Sequence, residues 1–311
     1  MRVDQQQLYA HNRSLLHNPG GGDPALLAFE RHWIAERLAQ FPAADASMDL
    51  PQLQRCLARL IEEEQRELPD SARYVGEAMT REEFRILVQE FALDGLTEAQ
   101  VFYFILPRLP LEAQMPLLRI LIDEFGSGNL ARAHTSLYLV LLRELRMPTE
   151  LAFYGERLEP DSFAFVNLFF WLCQRADDPS YFAGAITYLE TAIPSFFGCY
   201  VQACARLGIQ AHAYYSEHQH IDAFHAIEGQ RLLRTMQATD SLCPYKAWLG
   251  AQLASAITGS AFETAVAKAR RLQRLPFPAD LSLHSGTQAF DLDRQGIYYH
   301  LVRPLEKGAT C

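Results

Sequence analysis

Residues 214–225 read Tyr-Tyr-Ser-Glu-His-Gln-His-Ile-Asp-Ala-Phe-His, and within them His218, Asp222 and His225 fall at i, i+4 and i+7. At about 100° per residue they lie near 0°, 40° and −20° on a helical wheel. Two imidazoles and a carboxylate therefore share one helical stripe. Burying such a stripe is costly unless a cation stands in front of it. A metal ion is the obvious cation, and two would use the ligands more fully.

A second cluster, Asp123-Glu-Phe-Gly-Ser-Gly-Asn-Leu-Ala-Arg-Ala-His134, puts Glu124 ten residues before His134. On one straight helix that interval leaves the pair roughly 80° out of register. Gly126 and Gly128 tolerate an unwound or π-type turn that would realign them. Glu98 and Glu124 stand 13 residues either side of Leu111. A reversal near Pro110 would set both about 20 Å from the turn on antiparallel helices. Glu90 would sit about 12 Å farther along, so geometry prefers Glu98, with Glu90 the open alternative. Glu190 is a lone carboxylate in the apolar run 185–194, and a reversal near 207–210 sets it level with His218. Three glutamates, one aspartate and three histidines suffice for two metal ions with open positions.

The elements that must position these groups are helices. Residues 25–40 and 50–66 read as amphipathic helices, and residues 1–30 as a loose polar arm ending in Asn18-Pro-Gly-Gly-Gly-Asp-Pro24. Thr80 and Glu83 form a capping box for a helix to about Leu93, stopped by Asp94-Gly95. Thr97 is expected to cap a segment through Leu109, kinked at Pro107. Helices then follow over Leu111–Phe125, from Gly128 to about Leu145, and near 162–175, 179–206, 214–235 and 244–272, with Gly208 as a stop. Strand-type alternation is nearly absent before residue 280. The predicted organisation is an N-terminal arm and helical extension (1–79), a helical domain (80–275) and a tail (276–311) that would form a covering flap or short strand.

The Glu124-x-Gly-x-Gly-x5-His134 and His218-x3-Asp222-x2-His225 segments, with Glu98 and Glu190, resemble the heme-oxygenase-like di-iron oxidases and oxygenases, a group of iron-containing redox enzymes. The resemblance covers roughly residues 80–260. It implies an all-α, heme-oxygenase-like seven-helix bundle without heme, here with an N-terminal helical extension, holding two irons that react with dioxygen. Carried across, it implies that Glu98, Glu124, His134 and His225 surround one iron, and that Glu190, His218 and Asp222 surround the other. Glu124 would bridge, and Glu124 and His225 would be the catalytic pair. The Glu-to-His interval of ten is similar to the N-oxygenating branch. Carboxylate-rich sites accept manganese too, so manganese at one position stays open. Asp123, Glu217 and Tyr188 are candidates to orient the imidazoles. Phe102, Phe125, Tyr138, Phe169, Trp171 and Phe196 are candidates to exclude water.

At 311 residues and 49% hydrophobic the chain buries a large core, and a net charge of −9 argues against nucleic acid or an anionic membrane as partner. No run approaches the roughly 18 apolar residues of a membrane span. The first residues show no apolar signal core, and the six cysteines show no CxxC spacing. Both features fit a cytoplasmic protein. The expected partners are a small-molecule substrate, dioxygen, an external electron donor and a second copy in a homodimer. The leading reading is N-oxygenation of an amine or amino-acid-derived nitrogen. Oxidative C–C cleavage or desaturation of an amino or fatty acid is the first alternative, and a metal-free helical binding protein the second. His220 points some 200° from His218 and reads as an ordinary histidine. The Glu62-Glu-Glu64 run reads as a solvated helix face.

Overall fold

Every regular element of the computed structural model, which describes residues 3–42 and 47–273, is helical. In chain order these are α1 (Gln5–Leu15), α2 (Pro24–Leu38), α3 (Leu50–Arg66), α4 (Asp70–Glu77), α5 (Arg81–Glu90), α6 (Ala92–Gly95) and α7 (Leu111–Glu124). They continue with α8 (His134–Glu144), α9 (Leu151–Tyr154), α10 (Pro160–Gln174), α11 (Ser180–Phe196), α12 (Gly198–Leu207), α13 (Ala213–Ala238) and α14 (Pro244–Leu272). The tail expected as a flap, residues 276–311, lies outside the described residues. No described helix is long and apolar enough to cross a membrane.

Helix starts follow local chemistry. Asp4, Asp23, Asp49 and Thr80 each accept a hydrogen bond from a backbone N–H of the first turn of α1, α2, α3 and α5. These side chains satisfy donors that the helix itself cannot. The Thr80–Glu83 box is present in both directions: Glu83 N–H donates to Thr80 Oγ1 (3.2 Å) and Thr80 N–H donates to Glu83 Oε2 (2.8 Å). At the other end, Gly208 takes φ +68° and terminates α12.

The centre of the bundle is the pairing of α11 with α14. A Cβ at Gly184 would overlap the Ala247 carbonyl, and one at Gly250 would overlap the Tyr181 carbonyl. Only glycine lets these backbones touch. Helix α13 packs on α11, where the Thr187 hydroxyl donates to the Gly229 carbonyl (3.1 Å), and on α7 along its other side. This places Glu190 on α11, Glu124 on α7 and the histidines of α13 around one interior volume.

Residues 5–15 are not a loose arm. Leu8 and Tyr9 are buried, and α1 docks on α10 through a Tyr9–Phe163 ring contact and through buried amides. Asn12 Nδ2 donates to Asn167 Oδ1 (3.0 Å), and Asn167 Nδ2 donates to the Gln5 carbonyl (2.8 Å). Arg175 ties Glu30 of α2 and Asn12 into the same network. A helix held by buried amides has little apolar periodicity, which is why its sequence reads as coil. Thr97 does not cap a helix either: its hydroxyl donates back to the Leu93 carbonyl (2.6 Å). Ala99 takes φ +59°, and 3-10 turns over Gln100–Phe104 and Leu106–Arg108 replace the expected helix. The long helix expected over 179–206 is divided at Phe197 into α11 and α12, just after Pro194, which cannot donate a backbone bond.

Candidate metal centre

Glu124 is the last residue of α7 and His134 the first of α8. Between them Gly126, Ser127 and Gly128 all take positive φ (62°, 53° and 80°), and a 3-10 turn over Leu130–Arg132 follows. A Cβ at Gly126 would sit 2.6 Å from Ala133 N, so the chain reverses here only with glycine. The register problem of a continuous helix is removed because the helix is interrupted. Glu124 Oε2 lies 2.8 Å from His134 Nδ1.

The side chains sort into two groups that share Glu124. Ligand atoms of Glu98, Glu124, His134 and His218 lie within 4.8 Å of one another, as do those of Glu124, Glu190 and His225. The three histidines, Glu124 and Glu190 are buried. The two α13 histidines are thus exchanged relative to the expectation: His218 joins Glu98 and His134, and His225 joins Glu190. The cause is rise along the helix. Seven residues return to the same face, but about 10 Å farther along. Asp222 lies on α13, and its side chain is outside the described residues. Glu98 is present for a different reason from the one expected, since it sits in the turn before the left-handed Ala99 rather than on an antiparallel helix. Glu90 is elsewhere. Its oxygens accept from Lys268 Nζ (2.6 Å), Ser162 Oγ (2.7 Å) and Glu159 N–H (2.8 Å), a closed structural network.

Tautomer logic favours a cation here. His218 Nδ1 is 2.6 Å from the Tyr214 carbonyl, an acceptor, so Nδ1 carries a proton. In neutral imidazole, Nε2 then presents a lone pair to Glu98 Oε1 at 3.0 Å. Two acceptors face each other unless the ring is doubly protonated or a metal ion stands beside both. Glu98 Oε2 is buried without a hydrogen-bond partner. Among the described residues, neither Lys nor Arg forms an ion pair with Glu98, Glu124 or Glu190. Burial pushes the Glu124 carboxyl up to about 7; Glu190 and Asp123 push the same way, against His218 and His225. The donor set, acids with imidazoles and no fixed countercharge, fits a divalent transition metal.

His225 Nδ1 is 3.0 Å from Glu190 Oε2 and 3.7 Å from Glu124 Oε1, while its Nε2 faces Asp123 Oδ2 at 3.5 Å. Asp123 thus stands where an orienting carboxylate is expected. The other two candidates do not: Glu217 pairs with Arg132 (3.7 Å), and the Tyr188 hydroxyl donates to Glu64 Oε2 (2.6 Å). Glu64 also accepts from Ser255 Oγ (2.6 Å), so it is not the solvated acid its acidic run suggests. His220 is exposed, as expected. The acid that sequence reading missed is Asp94. It lines the same cavity as Glu98 and Glu124. Burial first, then Glu98, holds its carboxyl well above the usual range. Its signal was the four-residue interval to Glu98, hidden by the Asp-Gly pair that reads as a helix stop. Of the expected water-excluding aromatics, Phe102 and Phe169 line this cavity, and Tyr138 and Phe196 line a second one beside Glu98 and His218. Trp171 packs on Tyr181 and Phe125 on Tyr103.

A search of curated proteins finds no match to this chain. The family model described as iron-containing redox enzyme matches residues 85–258, more than half of the chain and all of the clustered side chains. The all-helical architecture agrees with it. With that match and this donor set, the chain belongs to the iron-containing redox enzymes of heme-oxygenase-like fold.

Proposed function

We propose that this protein is a non-heme di-iron oxidoreductase that uses dioxygen to oxygenate the nitrogen of a small amine or amino-acid-derived metabolite. The observation that carries the reading is the pair of ligand groups sharing Glu124, each with at least one imidazole. Glu98, His134 and His218 would hold one ion, Glu190 and His225 the other, and Glu124 both. When bound, two ferrous ions would supply the electrons that reduce dioxygen.

The chain's own residues do the rest. The Tyr214 carbonyl fixes the proton of His218 on Nδ1 and aims Nε2 inward. Asp123 orients His225 from its Nε2 side. Phe102, Phe169 and Leu189 keep bulk water from the cavity that Glu98, Glu124, Glu190 and His218 line. The ten-residue interval between Glu124 and His134 resembles that of the N-oxygenating branch of the family, and this likeness supports N-oxygenation over C–C cleavage or desaturation on the same centre. An external electron donor and a second copy of the chain belong to the proposal; sedimentation of the purified protein tests the dimer.

Aerobic ferrous iron added to metal-free protein is expected to saturate at about two ions per chain with a transient visible absorbance. An iron titration without a defined stoichiometry overturns the reading. Product mass after reaction under labelled dioxygen separates the chemistries: incorporated label supports oxygenation, and its absence supports desaturation.

A further inference from the structure

The cavity lined by Glu98, Glu124, Glu190 and His218 is also lined by Arg13 of α1. Arg13 lies outside the segment that matches the family. Arg13 is half-buried, and among the described residues its side chain makes one hydrogen bond, a long contact to Gln100 Oε1 (3.5 Å). Among the described residues, no carboxylate comes within the 4.0 Å of an ion pair with it. The wall shared by Arg13 and the acids is otherwise largely apolar: Phe102, Phe165, Phe169, Ile186, Leu189 and Ile193.

We infer that Arg13 anchors an anionic group of the substrate, a carboxylate, so that the substrates are acids with an apolar or aromatic body. The inference rests on the di-iron reading and adds a specificity residue to it. With the three glutamates engaged by the metal ions, the one Lys or Arg that lines the cavity is Arg13, whose planar guanidinium fork matches the two oxygens of a carboxylate. The apolar wall accepts the hydrocarbon portion. The charged end is thereby held at Arg13, and the other end is left for the metal-binding groups. Because α1 is fastened to α10 by buried amide contacts, the anchor has a fixed position rather than a tethered one. An N-terminal helix outside the matched segment thus becomes the part of the chain that selects substrate charge.

The test uses the full-length protein loaded anaerobically with ferrous iron and two matched pairs of probes, octanoate with octanamide and 3-phenylpropanoate with 3-phenylpropanamide. Calorimetric titration is expected to show each acid binding at least about tenfold more tightly than its amide. Arg13→Gln should abolish that preference by weakening the acids roughly 10- to 100-fold, and Arg13→Lys should restore part of it. Iron stoichiometry and thermal midpoint should be the same in all three proteins, as expected of a group that binds neither metal nor core. Equal binding of acid and amide, no binding of either acid, or an acid affinity unmoved by Arg13→Gln overturns the inference. Two irons bound without acid preference defeats the anchor alone, whereas failure to load two irons defeats the di-iron reading itself.

Discussion

Replacing Glu124 by glutamine should stabilise the metal-free protein while destroying its capacity for iron. The buried carboxyl is raised from 4.5 to about 7. The folded chain therefore holds that proton more tightly than the unfolded chain does. Below the unfolded value the group costs nothing. The cost grows as pH rises between about 4.5 and 7, and above that window it is on the order of 3 kcal/mol. Glu124→Gln removes the ionisation and keeps the shape. Metal-free variant and wild type should therefore melt alike near pH 4.5, whereas at pH 8 the variant should melt several degrees higher. Ferrous iron should reverse the order. It should raise the midpoint of the wild type and leave the variant nearly unmoved, because Glu124 belongs to both ligand groups. Scanning calorimetry with and without iron, across pH, measures all of this. A metal-free variant less stable than wild type at pH 8, or one that still takes two irons, would refute the reasoning.

Glu98→Ala and Glu190→Ala should each reduce bound iron toward one equivalent, read by elemental analysis, since each residue belongs to one group. Glu90→Ala should behave oppositely, losing roughly 3–5 kcal/mol of stability by stranding the buried Lys268 ammonium while the folded fraction keeps its iron. Thr80→Ala should cost about 1 kcal/mol in denaturant unfolding. Burial raises the Glu83 carboxyl, but the Thr80 backbone, the Tyr74 hydroxyl and the Thr80 hydroxyl bring it below 4.5 overall. That contribution is therefore full above the unfolded value and fades as pH falls through the folded one. Gly184→Ala should separate α11 from α14 and lower iron content through Glu190, without touching any ligand.

Periodicity reveals which face of a helix a residue occupies, and it was enough to bring His218 and His225 to the interior side of α13. The grouping of the two came instead from the family resemblance and from setting Glu190 level with His218, whereas the fold sets Glu190 beside His225, about two turns farther along α13. Glu124 and His134 were legible as a pair because Gly126 and Gly128 announced a break, though the break proved to be a full reversal with Ser127 also left-handed. Glu98 was named for a helix that does not exist, since Ala99 and the prolines at 107 and 110 turn that stretch into 3-10 segments. Asp94 and Glu64 were missed for a common reason. Each sits in a local pattern with an ordinary meaning, a helix stop or an acidic surface run, and only tertiary packing brings it against a cavity. The docking of α1 was hard to read because only Leu8 and Tyr9 supply its buried apolar surface, and buried amides at Asn12 and Gln5 supply much of the rest.

The ligands divide between two kinds of backbone. Glu190, His218 and His225 stand inside α11 and α13, and α11 is locked to α14 by glycine contacts that allow no sliding. Glu98, Glu124 and His134 stand at interruptions: a turn, a helix end and a helix start joined by three left-handed residues. Helix interiors open together with the global fold, whereas turns and helix ends open locally at lower cost. An iron centre that changes charge during turnover needs carboxylates free to move and imidazoles that stay put. This chain supplies the first mainly from its interrupted side and the second mainly from α13, so amide exchange should be slowest through α11 and α13 and fastest across residues 96–100 and 125–133. Iron binding should slow the second pair of segments far more than the first. Uniform protection of all four would remove the distinction between a rigid and a yielding half of the site.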